Sequence, residues 1–390
     1  MKILSYTDLA IREEELFWHR DLGLLTKAFR DLGHEAWLVV HPASESPSKI
    51  KNPKTKISKE PVIWASPSDV RNPSWWRSQK PDLIILGLWT RPKYNPIRRA
   101  ALSATPRVFE RADSDGMRTA SCGLRTYARR RYDYFRDHTF SWPQPLSALC
   151  SCLYSAISVL ACPWMERRIT ETLRLIPDLV VETRCAAESW RSLACRLKAA
   201  TRVHHIPHPV QTDLFRYHGS GLKQKRVISV GRWHTYQKNL PFLLSVLRIF
   251  LERHPDWSGM VGGSGLRQPS PHPRIAFTQN LAPADLAERM RASRIFFFSS
   301  RYESFLLAGA EALGAGCSVV GPETLVATQQ LVEIQGCAPT TSRNLLEGLE
   351  AEYQAWEEGN RSPFKISQRA CGEFSSQAVA QRFISLAGSS

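Results

Sequence analysis

The sequence has no Cys-x-x-Cys pair among its nine cysteines, and it has none of the cysteine and histidine spacings that zinc sites use. Cys150 and Cys152 lie too close together in the chain for an ordinary disulfide framework. These absences exclude a disulfide-rich scaffold. They favour buried free thiols in a reducing compartment.

Long hydrophobic runs are also scarce. The apolar part of the start, MKILSYTDL, is too short for a signal peptide. The stretch from Pro145 to Trp164 carries no charge and reaches the length of a membrane-spanning helix. Four serines dilute it, however, and its hydropathy is modest. We therefore predict a buried or interface-lying helix there rather than a membrane span.

Acidic residues are few: 36 Asp and Glu stand against 52 Lys and Arg, which gives a net charge of +16. A basic excess favours partners that carry phosphate, such as a nucleotide, a nucleic acid or an anionic lipid. Repeats and low-complexity tracts are absent as well, so the composition is that of a globular protein. At 390 residues, the chain is expected to form two domains.

The residues from Arg118 to Asp137 are strongly basic and aromatic, and the uncharged stretch follows them. This combination suits an anionic membrane surface, and it also suits single-stranded nucleic acid. A pair of helices that covers the first domain is an equally open interpretation. Because no recognised nucleic-acid module accompanies the stretch, we do not expect a nucleic-acid partner.

Strands and helices alternate along both halves of the chain, which predicts an α/β protein with parallel sheets. The central unit of the second half is Ser299–Pro322. The apolar run Ile295–Phe298 before it predicts a buried strand. We predict a helix from about Ser304 to about Leu313, and a further strand from Ser318.

Two carboxylates mark this unit. Glu303 precedes the predicted helix and Glu311 lies inside it, about 12 Å away along a helix axis. The first helical amides, near Ser304, Phe305 and Leu306, favour an anion between them. This layout fits a nucleoside diphosphate sugar. The alternatives are a capping charge at Glu303 and a solvated or structurally paired acid at Glu311.

Basic residues and glycines follow two earlier strands. Arg232 and Lys238 come after the predicted strand 226–230, where they suit a phosphate clamp. Gly263 belongs to a Gly-Gly-Ser-Gly turn that lets the backbone approach a ligand closely, although it is not a complete dinucleotide fingerprint. Gln279 and Asn280 end another predicted strand.

The acidic segment Glu110–Gly116 follows a predicted strand at 105–109 in the first half. It includes Asp113 and Asp115. The carboxyl end of a parallel strand is a usual ligand position, and an Asp-Gly turn is an equally open interpretation. The histidines near position 205 have no carboxylate or cysteine at ligand spacing, so no metal site is expected there.

Several of these segments occur in the order found in one enzyme family. The chain resembles the retaining, GT-B-fold glycosyltransferases of family 4, also described as glycosyl transferases group 1. The similarity covers roughly 180–320. Its motifs are IPHPV at 206–210, TDLF at 212–215, SVGR at 229–232 with QKN at 237–239, GGSG at 262–265, and SRYESF at 300–305 continuing into the E-x7-E pair.

The resemblance implies a GT-B fold, with two Rossmann-like domains facing a central cleft. We predict an acceptor-side domain at 1–218, which includes the segment at about 118–165. We also predict a nucleotide-sugar-binding domain at 222–370. A terminal helix at 371–390 is expected to pack back on the first domain.

The resemblance also implies residue roles. The expected catalytic residues are Glu303 beside the donor sugar and Arg232 and Lys238 on the diphosphate. The expected donor-binding residues are Glu311 on the ribose, the amides of Ser304 and Phe305 and the turn at Gly263 near the phosphates, and Gln279 and Asn280 near the base. The nucleotide sugar is a substrate, and no cofactor or metal is expected. Transfer is expected to retain the anomeric configuration.

The first half departs from the family pattern. A charged segment, Ile11–Glu15, replaces the usual Gly-Gly turn, and Asp113 or Asp115 is the nearest substitute for a histidine on the acceptor side. The expected function is transfer of a hexosyl or related sugar to an unknown glycan, lipid or small-molecule acceptor. The expected location is the cytoplasm. Whether the protein also makes a peripheral contact with the inner membrane face is left open by the sequence. The alternative is a non-catalytic GT-B protein that binds a nucleotide sugar or a polyanion.

Overall fold

A computed structural model of the chain describes residues 1–11, 18, 21–42, 61–112, 123–219, 223–266, 270–279, 281–336 and 344–388. Twelve strands lie within these ranges: β1 (Lys2–Ile11), β2 (Glu35–Pro42), β3 (Val62–Trp64), β4 (Leu83–Gly87), β5 (Val108–Ala112), β6 (Asp178–Val181), β7 (Arg202–His205), β8 (Gln224–Arg232), β9 (Ser258–Ser264), β10 (Ile275–Gln279), β11 (Ser293–Phe297) and β12 (Ser318–Val320).

The same ranges contain fifteen α-helices: α1 (Asp21–Asp31), α2 (Pro73–Gln79), α3 (Asn95–Leu102), α4 (Leu124–His138), α5 (Gln144–Leu160), α6 (Cys162–Leu173), α7 (Arg184–Arg196), α8 (Thr212–Phe215), α9 (Leu240–Arg253), α10 (Pro283–Ala292), α11 (Leu307–Gly314), α12 (Val326–Gln335), α13 (Leu345–Glu357), α14 (Pro363–Phe374) and α15 (Ser376–Gly388).

The strands form two parallel sheets. Their orders are β3-β2-β1-β4-β5-β6-β7 and β10-β9-β8-β11-β12. In each sheet the order reverses at one point, between β1 and β4 or between β8 and β11. Ligands of open parallel sheets bind beyond the carboxyl ends of the strands at such a reversal. The predicted α/β class with two Rossmann-like sheets is therefore confirmed.

The chain divides into two compact units. Unit 1 comprises 1–121, 162–210 and 376–390, and unit 2 comprises 122–161 and 211–375. This division differs from the predicted boundaries because the segment 122–161, with α4 and α5, groups with the second sheet. The cause is a set of contacts between α4 and the loops of unit 2, which no local sequence pattern indicates.

In unit 1, helices α1 and α15 cover one face of the seven-stranded sheet. The rings of Phe29 and Phe383 pack edge to face, with centroids 6.3 Å apart. Both side chains are fully buried, together with strand residues such as Leu38 and Ile85. Apolar packing of this kind fixes the terminal helix α15 on the first sheet.

The strand predicted at 105–109 begins later, at Val108, so Glu110 lies inside β5. Its carboxylate is 1% exposed and pairs with Arg98 of α3, at 2.5 and 2.7 Å. Arg98 also donates to the carbonyls of Arg91 and Trp89. A fully buried, fully bonded ion pair is structural, so the assignment of Glu110 to a ligand-binding acidic segment is wrong.

Helix α5 lies where a buried or interface-lying helix is predicted, and its apolar residues are not buried. Its inward residues are Ser147, Ser151 and Ser155, while Ile157 is 63% exposed and Leu160 is 82% exposed. Within the described part of the chain, no single helix is long and apolar enough to cross a bilayer; the bent pair α5 and α6 passes that test only when taken together.

The cysteines also differ in part from the prediction. Three of the seven in the described ranges are buried and none of the seven is bonded to another cysteine; Cys152, Cys185 and Cys195 are exposed.

We predict that Arg98→Met lowers the free energy of unfolding by about 3–5 kcal/mol, because it leaves the buried Glu110 carboxylate without its cation. The measurement is urea-induced unfolding. Arg99→Met, at an exposed position of the same helix, is the control and should change stability by less than about 0.5 kcal/mol. Equal effects of the two substitutions would contradict the structural role of the pair.

Candidate functional site

The predicted donor residues of unit 2 lie at the carboxyl edge of the five-stranded sheet. Arg232 is the last residue of β8, and Glu303 lies in the loop after β11. Since β8 and β11 are neighbours at the reversal of strand order, their loops emerge side by side. The fold therefore brings together residues that are about seventy positions apart.

The end of β8 and the loop after it carry the two predicted phosphate-binding cations. The side chain of Arg232 is exposed. That of Lys238 is mostly buried, and its methylene stem runs close to Gly231: a Cβ on Gly231 would lie 3.5 Å from Cγ and Cδ of Lys238. A Cβ at this position would therefore make only ordinary van der Waals contact with the lysine stem.

Hydrogen bonds join this loop to the loop after β11. Arg301 donates its N–H to the Gln237 carbonyl at 2.8 Å, and the Gln237 side-chain amide donates to the Tyr302 carbonyl at 2.9 Å. The Ser299 hydroxyl donates to the Lys238 carbonyl at 3.1 Å. The two loops consequently form one connected structure.

An ion pair between Lys238 and Glu303 lies at the centre of this structure. The two side chains are 13% and 8% exposed. Charges this far from water require close partners, and here each supplies the other. The pair places an ammonium and a carboxylate at one point of the strand edge, where they can offer a charge to an anion and a hydrogen-bond acceptor to a hydroxyl.

The helix carrying Glu311 begins later than predicted. Helix α11 starts at Leu307, after Leu306 in the left-handed conformation with φ 65°, so Ser304 and Phe305 precede the helix. The Phe305 ring packs edge to face on Phe374 at 5.4 Å. The free amides of a helical first turn therefore belong to Leu307 and Ala308, and the estimate of 12 Å between the glutamates, which assumed a continuous helix, does not apply.

Glu311 has no hydrogen-bonding or ion-pair partner for its carboxylate among the described residues, and it is partly buried. The surrounding protein raises its pKa from 4.5 to about 8, because the carboxylate loses solvation there. A carboxyl group that is partly protonated near neutral pH can both donate and accept hydrogen bonds. Such a group suits a pair of vicinal hydroxyls.

Glycines allow the neighbouring strand ends to approach. Gly263 and Gly231 are in register across β9 and β8, and a Cβ on Gly263 would lie 2.0 Å from the Gly231 carbonyl oxygen. Gly263 also has φ 124°, which disfavours any other residue. Gln279 is in register with Gly263 on β10 and donates its amide to the Leu266 carbonyl.

Three predicted site residues, Asn280, Asp113 and Asp115, lie outside the described residues. No cluster of three metal-ligating side chains occurs within the described ranges. Of the histidines near position 205, His204 is paired with a carboxylate: its Nε2 lies 2.7 Å from Oδ1 of Asp178.

Sequence reasoning missed a second group of residues near the site. Asp137, at the end of α4, accepts a hydrogen bond from the Gln237 N–H at 3.1 Å. Arg130 of the same helix lies over the Tyr302 ring, 5.4 Å from its centroid. These partners are 100 or more positions apart in the chain, so no local spacing indicates them. The only signal was the aromatic and basic composition of α4.

Glu311→Gln is expected to flatten the pH dependence of stability. The pKa of Glu311 is raised in the folded state, so its contribution is complete below about pH 4.5 and is lost as the pH rises through about 8, at a slope of at most about 1.4 kcal/mol per pH unit. Thermal unfolding of the ligand-free protein between about pH 5 and about pH 8 measures it. Glu288→Gln, at an exposed helix position, is the control; a slope unchanged by Glu311→Gln would contradict the assignment.

Comparison with known proteins relates part of the chain to one family. Residues 224–344 match the family described as Glycosyl transferases group 1. No curated protein matches the sequence significantly.

Solved structures share the fold over the whole chain. HepE from Anabaena in complex with UDP-glucose is 15% identical, with 100% of each chain covered and a TM-score of 0.58. Sucrose-phosphate synthase from Thermosynechococcus elongatus is 12% identical, with 100% of this chain and 99% of that chain covered and a TM-score of 0.61. The trehalose-6-phosphate synthase OtsA is 10% identical, with the same coverage and a TM-score of 0.61. At these identities the likeness shows the fold: the chain has the two-sheet α/β fold of the GT-B glycosyltransferases, and residues 224–344 match their group 1 family.

Proposed function

We propose that the protein is a retaining glycosyltransferase that moves a hexosyl or related sugar from a nucleoside diphosphate sugar to an acceptor hydroxyl. The observation that carries this proposal is the Lys238–Glu303 ion pair at the strand-order reversal of unit 2. Arg232 ends the adjoining strand. Together these residues provide two cations for a diphosphate and one carboxylate for the sugar attached to it.

Donor binding is expected to proceed by an exchange of partners. A diphosphate carries charge that Lys238 and Arg232 can bind, and the amides of Leu307 and Ala308 with the α11 dipole add to this site. As Lys238 turns to the phosphate, Glu303 is freed to accept hydrogen bonds from sugar hydroxyls. We assign the ribose hydroxyls to Glu311 and the base to the end of β10, at Gln279 and Asn280.

In the transfer step, the bond between the anomeric carbon and the diphosphate oxygen breaks. The electron pair of the broken bond stays on the diphosphate oxygen, a bond from the anomeric carbon to the acceptor oxygen forms, and the acceptor hydroxyl passes its proton to the leaving diphosphate. Arg232 and Lys238 stabilise the charge that develops on the leaving diphosphate. Because these two cations serve that purpose, the proposal includes no resident metal.

Relatives support the donor class and the stereochemistry. The HepE structures contain UDP, UDP-glucose, or UDP and glucose, and a study of trehalose-6-phosphate synthase describes its transfer as proceeding with retention. We extend both properties to this chain as part of the proposal. The acceptor we propose is a glycan precursor or lipid at the cytoplasmic face of a membrane, because the exposed face of α5 is apolar.

The second candidate is a non-catalytic nucleotide-sugar binder. It is favoured by the altered first half, where the structure commits Glu110 to Arg98 and leaves it no part in acceptor chemistry. The two candidates share the donor site and differ only in turnover.

We expect Glu303→Gln to reduce turnover about 10²–10³-fold, as removal of a group that acts on the reacting centre does. UDP binding should be kept, because Lys238 is then free for the diphosphate. Arg232→Ala should weaken UDP binding about tenfold or more. The measurements are calorimetric UDP titration, and hydrolysis and transfer assays with UDP-, GDP- and ADP-sugars.

Arg248→Ala, which removes an exposed arginine of α9, is the matched control. Full activity of Glu303→Gln would remove the role given to Glu303. Binding that is lost in Arg232→Ala, without turnover of any donor by the wild type, would replace the transferase with the non-catalytic binder.

A further inference from the structure

Helices α4 and α5 form a hairpin whose packing is inverted relative to that of a soluble helix pair. On α5 the inward positions are three serines spaced four residues apart, Ser147, Ser151 and Ser155. The Ser147 hydroxyl lies 2.7 Å from that of Thr139, and Ser155 donates to the Ala128 carbonyl at 2.7 Å. Small residues allow the helices to approach closely, as at helix contacts inside membranes.

The outward face of α5 is aliphatic. Its exposed residues recur at helical spacing over about 21 Å of helix, and their exposed fractions range from 48% to 82%: Leu146, Leu149, Leu153, Ile157 and Leu160. Trp142, in the turn before α5, is 43% exposed. Helix α5 itself carries no charged residue. Contiguous exposed apolar surface of this extent indicates a partner.

The two helices of the hairpin also line an apolar groove that has an arginine among its lining residues. The groove has a volume of about 550 Å³ and lies between α4 and α5, with Tyr132, Ala156, Val159 and Leu160 in its walls and Arg129 at its rim. The Arg129 side chain is 79% exposed, and Arg125, one turn earlier, is exposed as well. Helix α4 has five arginines against two aspartates.

We propose that the α4–α5 hairpin is a docking surface for an anionic lipid bilayer. Aliphatic side chains and a tryptophan enter the boundary of the acyl chains, and the arginines contact lipid phosphates. Charge selects this occupant: a second copy of the hairpin would bring arginine against arginine, and nucleic acid would need exposed stacking rings where α5 presents aliphatic residues. The proposed function places the acceptor at a membrane, and this hairpin is where the protein would contact that membrane. The inference therefore rests on the proposed function.

The test is co-sedimentation of the full chain with vesicles of phosphatidylcholine, with and without phosphatidylglycerol, in the absence of donor. The wild type should bind the anionic vesicles, and less at high salt. Leu153→Glu with Ile157→Glu should weaken binding about tenfold or more, given the contribution of each buried aliphatic side chain. The double substitution Arg125→Gln with Arg129→Gln should weaken only the additional binding that phosphatidylglycerol provides.

Phe364→Glu is the matched control, because Phe364 is an exposed apolar residue of α14 in the same unit. Circular dichroism shows whether each variant is folded, and Leu153→Ser with Ile157→Ser provides a milder second variant. Absence of vesicle binding, or binding that these α5 variants leave unchanged, would overturn the proposal. Binding to an oligonucleotide without binding to vesicles would replace the bilayer with nucleic acid. Since no donor is present, none of these results depends on transferase activity.

A separate observation connects the hairpin to the donor site. Asp137 ends the last turn of α4 and contacts both donor loops. It accepts from the Gln237 N–H at 3.1 Å, directly before Lys238. It also accepts from the hydroxyl of Tyr302, directly before Glu303. Burial and the Asp137 charge raise the pKa of Tyr302, so the phenol remains a donor.

Aromatic contacts reinforce the same junction. Arg136 of α4 lies over the Tyr236 ring at 5.1 Å, and Arg301 lies over that ring at 4.3 Å. Phe140, at the tip of the hairpin, is 6.2 Å from Tyr236. Any shift of α4 therefore acts on the residues that flank Lys238 and Glu303.

We infer that Asp137 is a positioning residue that couples the hairpin to the Lys238–Glu303 pair. It makes no contact with a reacting atom and acts through the two loops. Contact of the hairpin with a bilayer is then expected to order both loops and raise donor affinity. This inference rests on the proposed function for its kinetic test alone.

Asp137→Ala should raise the KM for the donor about tenfold, as expected for loss of a charged hydrogen-bond acceptor, and Asp137→Asn should restore part of it, since its carbonyl oxygen still accepts from Gln237. Anionic vesicles should lower KM for the wild type and not for Asp137→Ala. Asp256→Ala is the control, because it removes an aspartate that pairs with Lys225 at the opposite edge of the sheet.

Hydrogen exchange of the segments 234–239 and 299–305 gives a reading without turnover. Vesicles should slow exchange there in the wild type and leave Asp137→Ala unchanged, while both proteins still bind vesicles. The contrary result is that Asp137→Ala lowers only the melting temperature, while the KM, the hydrogen exchange and the effect of vesicles stay as in the wild type. Asp137 would then be a structural residue, and the inference would be overturned.

Discussion

The ion pair between Lys238 and Glu303 is the interaction on which the site of unit 2 depends. Two nearly buried charges are stable only while each has a partner, so the loops after β8 and β11 must remain in contact until a ligand replaces one member. Parallel strand order brings the two loops together, and hydrogen bonds between them connect them. If the proposed donor site is correct, the ligand-free protein already holds its cation and carboxylate together at the carboxyl edge of the sheet, which limits the reorganisation that binding costs.

Much of this arrangement could be predicted from the sequence because it depends on local signals. The strand predicted at 226–230 lies within β8, and the buried strand predicted at Ile295–Phe298 overlaps β11. The β-strands of unit 2 follow from short apolar runs. The helix start at Leu307 could not be predicted in this way: Leu306 adopts a left-handed conformation in a segment whose composition favours helix throughout, so tertiary packing, with Phe305 against Phe374, determines where α11 begins.

Other features depend on contacts that are distant in the chain. Glu110 was an acid at a strand end in the sequence, and its partner Arg98 lies on a different element, so its burial appears only in the fold. The orientation of α5 was similarly hidden, because serines and leucines alternate on it with a helical period and either face fits the interior. The packing places the serines inward because α4 approaches closely, and this choice turns the leucines to the surface.

The same hairpin therefore bears on two parts of the account. Its outer face is the proposed bilayer contact, and Asp137, near its tip, contacts the loops of the ion pair. This connection gives a physical reason for the grouping of α4 and α5 with the second sheet rather than with the chain segments that flank them.

The most direct test of the central claim is a crystal structure of the protein with UDP bound. The account predicts that Lys238 Nζ lies within hydrogen-bond distance of a diphosphate oxygen, that Arg232 contacts the same group, and that the Glu303 carboxylate no longer pairs with Lys238. An intact Lys238–Glu303 pair, with the nucleotide bound away from the carboxyl edge of β8 and β11, would contradict it.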